Sequence, residues 1–364
     1  MMLSDMGADV VRVDRVPGHG RVGTEGRPTL DPLGRGRRSL AADLKDEAGR
    51  DVVLRLIDRA DALVEGHRPG VMERLGLGPD LCLERNPRLV YARMTGWGQD
   101  GPYAQTAGHD NGYAAIAGTL GMLGSPDRPP EPPLNLVADY GGGGMLLAFG
   151  VVSGVLAAAR TGLGQVVDVA MTDGAALLAT TFHVLHGQGL WTWERGHNLL
   201  DGGAPFYATY PTADGRFVTV GALEPKFFGE LLRLLELEEA SLPAQMDRDG
   251  WPRLREALAA RLASRTRDEW VEVFAGSDAC VTPVLEPGEA VSDPHNEARG
   301  TFVTVDGITQ PAPAPRFSHT AAPSPRSAPE VGRDSRDVLH ELGLDWAEVE
   351  ALERSGAIWS LPGG

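Results

Sequence analysis

The first half of the chain alternates short apolar runs with amphipathic segments, and this alternation limits the folds open to it. The runs GADVVRVDR, SLAADL, ALVEG and RLVYARM predict strands. Between the second and third runs, the segment EAGRDVVLRLIDRAD has its apolar residues on one helical face. Strands separated by helices favour βαβ units, so we predict an α/β domain with a mostly parallel sheet.

The second half follows a different pattern. The segment FYATYPTADGRFVTVGAL predicts two strands joined by a turn at Asp214 and Gly215. Three amphipathic segments follow, and the last begins with Thr266 and Glu269, the spacing of a helix capping box. These features predict a smaller α+β domain over residues 210–295.

Proline and glycine suggest the remaining boundaries. The large α/β domain is expected to comprise residues 1–187 together with residues 330–364. This second segment is predicted to form two short helices broken at a glycine. Residues 188–209 are a predicted linker. Residues 296–329, which are rich in proline, are predicted to return the chain to the large domain as a second linker.

The longest apolar stretch runs from Met145 to Ala159. It is shorter than the ~20 residues that a membrane-spanning helix needs, so it predicts a buried helix. The first residues, MMLSDMGADVV, lack the pattern of a signal peptide. We therefore expect a cytoplasmic protein with no membrane partner.

Composition disfavours several classes of function. The formal net charge is -16, whereas a nucleic-acid-binding protein needs a basic face. The two lysines, Lys45 and Lys226, do not follow a glycine, so no Walker A loop is present. Cys82 and Cys280 are too few for a disulfide framework or a cysteine-rich metal site. No metal site is expected.

Asp139 precedes a run of four glycines and an apolar helix. If the helix begins at the glycines, its free N–H groups favour a nearby anion, including a substrate oxygen that gains negative charge. Gly141 and Gly142 are the donors expected there. The alternative interpretation is that Asp139 only caps the helix.

Two further residues are candidates for acid–base chemistry. His109 follows a turn-rich segment, and histidine is the common base near neutral pH. Glu224 precedes a proline that suits the first turn of a helix, and such a carboxylate can orient a histidine. A structural histidine and an exposed helix-start carboxylate are the alternatives.

Arginines at predicted loops and strand ends form a candidate anion site, because guanidinium groups suit phosphates. A solvated surface is the alternative for each of them. The group comprises Arg15, Arg35, Arg37, Arg38, Arg68, Arg74 and Arg93.

Several long motifs together resemble the family III CoA-transferases. They include EGHRPGVMERLGLGP, YARMTGWGQDGPYAQTAGHDNGY, PPLNLVADYGGGGM, NLLDGGAPFYATY and DGRFVTVGALEP. Within that family the chain is most similar to the α-methylacyl-CoA racemases. The likeness runs from about residue 7 to residue 317. It implies a large Rossmann-like domain formed by both chain ends, a smaller domain, and an interlocked homodimer.

The resemblance also implies roles for particular residues. The histidine and aspartate that flank the substrate α-carbon in the racemases match His109 and Asp139, and the glutamate that supports the histidine matches Glu224. In the family, contacts to coenzyme A come from N-terminal arginines and nearby loops. The matching positions here are Arg15, Arg38, Arg68 and Arg74, and the motifs around them are less specific than those of the acid–base residues.

The implied reaction interconverts (2R)- and (2S)-2-methylacyl-CoA thioesters through an enolate. It requires no metal and no redox cofactor, and coenzyme A is part of the substrate. One alternative is a CoA-transferase in which Asp139 attacks the thioester. Members of the family normally begin with a strand that precedes the first helix here, so a non-catalytic acyl-CoA binder is a further alternative.

Overall fold

The computed structural model describes residues 1–17 and 31–362. Its strands are β1 Val11–Asp14, β2 Arg38–Ala42, β3 Ala62–Glu65, β4 Val90–Thr95, β5 Gln165–Ala170, β6 Tyr207–Pro211, β7 Phe217–Gly221, β8 Val281–Pro283, β9 Phe302–Val305, β10 Ile308–Pro311 and β11 Ile358–Trp359.

Its α-helices, in chain order, are α1 Met2–Asp5, α2 Glu47–Ile57, α3 Val71–Arg74, α4 Pro79–Arg85, α5 Asp110–Ile116, α6 Leu146–Thr161, α7 Met171–Leu178, α8 Thr180–Gly187, α9 Pro225–Leu234, α10 Trp251–Leu262, α11 Arg267–Phe274, α12 Pro287–Val291, α13 Pro294–Arg299, α14 Ser335–Glu341 and α15 Trp346–Ser355. A π-helix, Leu136–Met145, leads directly into α6.

The chain divides into two compact units. Unit 1 comprises residues 1–108, 139–174 and 291–364, and unit 2 comprises residues 109–138 and 175–290. Both ends of this sequence therefore contribute to unit 1. The expected boundaries differ from this division, because residues 109–138 and 175–187 cluster with unit 2 rather than with the large domain.

Besides the β9–β10 hairpin, the described part of unit 1 contains two three-stranded sheets. Strands β3, β4 and β5 form a parallel sheet, with β4 in the centre. Strands β1 and β2 are also parallel, and β11 pairs with β2 in the antiparallel direction. One apolar core includes Leu40 of β2, Tyr91 of β4, Val53 of α2, Leu339 of α14 and Ile358 of β11. The parallel strands predicted from alternation are thus confirmed.

Unit 2 contains an antiparallel sheet in the order β6-β7-β8. The predicted hairpin is confirmed, and Gly215 has the positive φ of +75° that its turn requires. Helices α9, α10 and α11 supply Leu231, Leu254 and Trp270 to the core. The predicted capping box is also confirmed, since Thr266 and Glu269 exchange hydrogen bonds at the start of α11.

Both of the expected linkers contain either regular secondary structure or residues of a core. Residues 188–209 include Ala204 and Phe206, which are fully buried in the core of unit 2. Residues 296–329 include the β9–β10 hairpin, whose turn at Asp306 and Gly307 has positive φ at both positions. This turn is the two-residue type that Asp-Gly favours. The abundant prolines of the neighbouring residues hid this signal.

The prediction that the apolar stretch after Met145 is a buried helix is wrong. Helix α6 buries Val151, Gly154 and Ala158, but Phe149 is 70% exposed. Within the described residues, the continuous helix Leu136–Thr161 is long and apolar enough to cross a membrane by length and composition, with 28% of its apolar window buried. Asp139 interrupts the apolar run in sequence, but the backbone stays helical through it.

Candidate active site

His109 stands at the start of helix α5. It is the N-cap residue, with an extended backbone, and its carbonyl oxygen accepts hydrogen bonds from the N–H groups of Gly112 and Tyr113. Its side chain is exposed. The imidazole therefore lies at a helix terminus and not inside the core, so it is accessible to a ligand.

The next residue, Asp110, is buried and fixes the start of this helix. Its Oδ2 atom accepts a hydrogen bond of 2.8 Å from the backbone N–H of Ala138. In sequence, Asp110 follows His109, and Ala138 precedes Asp139. A carboxylate that accepts a buried N–H bond is costly to remove, so this contact stabilises unit 2 at the point where α5 begins.

Asp139 lies within the π-helix and is half-buried. The glycine run is therefore inside a helix and not at its start. The expectation that Gly141 and Gly142 offer the free N–H groups of a helix terminus is wrong, because N–H groups inside a helix bond to its own carbonyls. Contacts of these two glycines with a substrate stay predictions. Single π-helical turns often occur at functional sites.

Close packing explains why glycine is needed in this region. Gly142 is buried, and its carbonyl oxygen would lie 1.9 Å from a Cβ atom placed at Gly174 of helix α7. No side chain can occupy that space. The π-helix and α7 therefore approach each other at backbone distance.

Glu224 is the N-cap of helix α9, and Pro225 is the first residue of that helix, as the sequence predicts. The carboxylate is exposed and makes no side-chain capping bond. His109 and Glu224 both belong to unit 2, whereas Asp139 belongs to unit 1. Within the described residues, no hydrogen bond joins the side chains of His109 and Glu224. The role of Glu224 in supporting His109 stays a prediction.

The arginines predicted to bind an anion occupy different environments. Arg15 directly follows β1 and is exposed. Arg38 is bound by Asp9 and Glu341, and the hydrogen bonds with Asp9 raise the pKa of its guanidinium despite partial burial. Arg68 and Arg74 are exposed, and in the part of the chain that the structure describes neither forms an ion pair.

Two members of the wider arginine group are structural. Arg35 is 2% exposed, and its guanidinium donates to both carboxylate oxygens of Asp5 and to the side chain of Gln310. Arg93 is also buried and is held by Glu65 and Glu73. The sequence signal for an anion site is therefore wrong for Arg35 and Arg93, because acidic side chains far away in sequence already neutralise them.

Sequence reasoning missed Asp110, Glu65 and Glu73. The position of Asp110 beside His109 was visible, but its bond to Ala138 depends on the fold. Over residues 1–17 and 31–362, no group of three or more His, Cys, Asp or Glu side chains is arranged to hold a metal ion.

Comparison with known proteins places these features in a wider context. The profile described as CoA-transferase family III matches residues 1–335. A mouse protein, "Alpha-methylacyl-CoA racemase", is 46% identical over 355 residues, covering 97% of this chain and 91% of its own. The human protein of the same name is 44% identical over 362 residues, covering 99% and 93%.

A solved structure agrees with this match. The crystal structure of a CAIB/BAIF family protein from Brucella suis superimposes with a TM-score of 0.78 at 26% identity, covering 94% of this chain and 93% of that one. The mixed α/β arrangement described above is thus shared with a structurally characterised relative.

Proposed function

This chain belongs to CoA-transferase family III, and we propose that within the family it is an isomerase, an α-methylacyl-CoA racemase. The observation that carries the proposal is its 44% to 46% identity with two mammalian racemases over nearly its whole length. The exposed imidazole of His109 and the half-buried carboxyl of Asp139 are the groups that fit the proton transfers.

The chemistry needs two proton-transfer groups. The α-hydrogen of a 2-methylacyl thioester is acidic because its carbanion delocalises into the thioester carbonyl as an enolate. One group removes this proton from one face, and the other delivers a proton to the same carbon on the opposite face. We assign these roles to His109 and Asp139, which exchange roles when the reaction reverses. Glu224 is proposed to orient His109.

The reaction exchanges only a proton, so the proposal requires neither a metal nor a redox cofactor. Coenzyme A enters as part of the substrate. We propose that the exposed Arg68 and Arg74, with Arg15, bind its phosphates. Arg38 is the weakest of the four family matches for this role, since two carboxylates already bind it. Gly141 and Gly142 are proposed to lie beside the thioester.

We also propose that the chain forms an interlocked homodimer, with unit 1 as its Rossmann-like domain. The support is an apolar stripe on α6 and the residue before it. Met145, Phe149, Val152 and Leu156 recur at intervals of four, three and four residues and are 52% to 70% exposed. This spacing suits helix pairing, and leaving such a stripe in water is unfavourable. A cytoplasmic role in fatty acid metabolism fits the proposed substrate.

The decisive experiment supplies a single enantiomer of a 2-methylacyl-CoA in D₂O without an acceptor acid. A racemase incorporates deuterium at the α-carbon and produces the opposite enantiomer. A transferase that uses Asp139 as nucleophile leaves the α-hydrogen in place, and it transfers CoA once an acid is added. A chain that binds the thioester and does neither is a binder. The absence of deuterium would overturn the proposal.

A further inference from the structure

The carboxyl ends of β3 and β4 carry a buried network of charges that proton transfer does not use. The Nε atom of Arg93 in β4 donates to Oε1 of Glu65 in β3 at 2.7 Å. Its two Nη atoms donate to the carboxylate of Glu73 in α3 at 2.8 and 3.3 Å. The side chains of Arg93 and Glu65 are 7% and 3% exposed.

A second contact extends this network into the backbone. The other oxygen of Glu65, Oε2, accepts a hydrogen bond of 2.7 Å from the N–H of His67. Both carboxylate oxygens of Glu65 are thus used, one by a side chain and one by the loop that leaves β3. Buried charges are tolerated only when such partners satisfy them, so the geometry of the loop is strongly constrained.

The constrained segment, residues 66–74, carries two exposed arginines. The carbonyl oxygen of Arg68 accepts a hydrogen bond from the N–H of Val71. Gly70, the N-cap residue of α3, has a left-handed conformation with φ of +82°. A Cβ atom at Gly70 would lie 3.1 Å from Nη1 of Arg74, so this guanidinium folds back over the glycine. Glu73, the residue before Arg74, is the one held by Arg93.

The network holds this segment at both ends. Glu65 fixes the backbone at His67, and Arg93 fixes Glu73. Glu65 and Glu73 are both bound to Arg93 and not to Arg68 or Arg74. The positive charges of Arg68 and Arg74 have no acidic partner among the described residues, so they are available to a ligand. Ligands of parallel α/β sheets bind at the carboxyl ends of the strands, which is where this segment lies.

The pKa shifts of Arg93 and Glu73 agree with a structural role for this charge network. Burial opposes the charged form of Arg93, but the hydrogen bonds that its guanidinium donates to Glu73 and Glu65 raise its pKa overall. The hydrogen bond from Arg93 lowers the pKa of Glu73. Both groups therefore stay ionised throughout the neutral range.

We propose that Glu65, Arg93 and Glu73 are positioning residues that hold Arg68 and Arg74 in place to bind the phosphates of the substrate's nucleotide. This inference rests on the proposed function for the identity of the ligand. None of the three positioning side chains needs to touch the substrate, because they act through the loop backbone and α3.

The experiment compares Glu73→Gln and Arg93→Lys with the wild type on two thioesters. One is 2-methylacyl-CoA, and the other is the matching 2-methylacyl-pantetheine, which lacks the nucleotide and its phosphates. Deuterium incorporation gives kcat/KM for each thioester, and calorimetry gives the Kd of free coenzyme A. We expect kcat/KM for the CoA thioester to fall roughly tenfold relative to the pantetheine thioester, with coenzyme A binding weakened by a similar factor.

Arg267→Lys is the matched control. Arg267 lies in unit 2, is also 7% exposed, and binds two carboxylates, those of Asp268 and Glu289. Arg267→Lys removes a comparable pair of guanidinium–carboxylate contacts. This variant is therefore expected to leave the ratio of kcat/KM between the two thioesters unchanged. Glu73→Gln keeps the test valid if Arg93→Lys does not fold, since the Glu73 side chain is 43% exposed.

The inference is overturned if the variants bind coenzyme A as tightly as the wild type, or if both thioesters lose the same factor. The proposed function has its own readout. A wild type that binds coenzyme A but incorporates no deuterium would refute the racemase while leaving the positioning role supported by weaker binding in the variants. A wild type that binds no coenzyme A would refute the positioning role as well.

Discussion

The carbonyl oxygen of Gly142 lies against Gly174 so closely that a Cβ atom at position 174 would stand 1.9 Å from it. This contact joins the π-helix that carries Asp139 to helix α7. Since the oxygen belongs to the backbone, it cannot move aside as a flexible side chain could. The position of the proposed acid–base carboxyl thus depends on a residue that has no side chain.

Gly174→Ala is therefore expected to displace the π-helix. The change should lower the melting temperature and reduce α-proton exchange, because overpacking typically costs 1–3 kcal/mol. Gly229→Ala is the control, since Gly229 lies inside α9 with nothing within 4 Å of its added methyl group. It should keep or raise stability. An unchanged melting temperature in Gly174→Ala would contradict the close approach.

Single replacements of the two proposed bases should separate exchange from inversion. Asp139→Asn and His109→Gln are each expected to slow racemisation by roughly 10²- to 10⁴-fold, because one proton transfer is lost. The base that remains can still remove and return a proton on its own face. Each variant should then incorporate deuterium into one enantiomer without inverting it, and the two variants should prefer opposite enantiomers.

Nuclear magnetic resonance of each pure enantiomer, with chiral separation of the products, measures this preference. The two-base assignment fails if both variants label the same enantiomer, or if either racemises at the wild-type rate.

The apolar stripe of α6 should determine the oligomeric state. Val152→Arg places a charge in the stripe and is expected to convert a dimer into monomers, since a buried unpaired charge is highly unfavourable. Light scattering after size exclusion measures the mass. Met246→Arg is the control, because Met246 is exposed to nearly the same extent, 58% against 57%, and lies in unit 2.

The same stripe allows a second test of the partner. Wild-type chains should stay behind when neutral or anionic lipid vesicles are floated through a density gradient. A monomeric wild type, or one that floats with the vesicles, would contradict the homodimer.

Acid should weaken unit 2 through one ion pair. Hydrogen bonds from Arg267 lower the pKa of Glu289 to about 2, whereas an unfolded glutamate titrates near 4.3. The stabilisation is therefore complete above about pH 5 and is lost as the pH falls toward 2. Between pH 7 and pH 3, Glu289→Gln should lose less free energy of unfolding than the wild type.

Denaturant titrations at the two pH values measure this difference. Glu272→Gln, in helix α11, is the control, because that exposed carboxylate has no ion pair within the described residues. Equal losses of stability in the wild type and Glu289→Gln would show that the pair does not contribute to acid sensitivity.

Much of the fold could be predicted where the signal is local. Strand β3 falls within the predicted run ALVEG, and the β6–β7 hairpin follows from alternation around Asp214 and Gly215. The capping box of Thr266 and Glu269 needs only a spacing of three residues. Such features are encoded within a single element, so composition and spacing suffice.

Features that depend on distant partners could not be predicted. The sequence predicts Arg93 to be a phosphate-binding arginine, because nothing in the sequence shows that Glu65 and Glu73 pair with it. The glycine run read as a helix start, because the space at Gly174 that admits a π-helix is set by packing. The exposure of Phe149 was hidden because an apolar sequence does not reveal what covers it.

The pairing of β11 with β2 has a consequence for synthesis of the protein. Ile358 and Trp359 pair with Ala42 and Ala41, which lie far earlier in the chain. During translation the edge of β2 that β11 covers therefore stays unpaired until Ile358 and Trp359 have emerged from the ribosome. A nonsense mutation before Ile358 would leave that edge unpaired permanently.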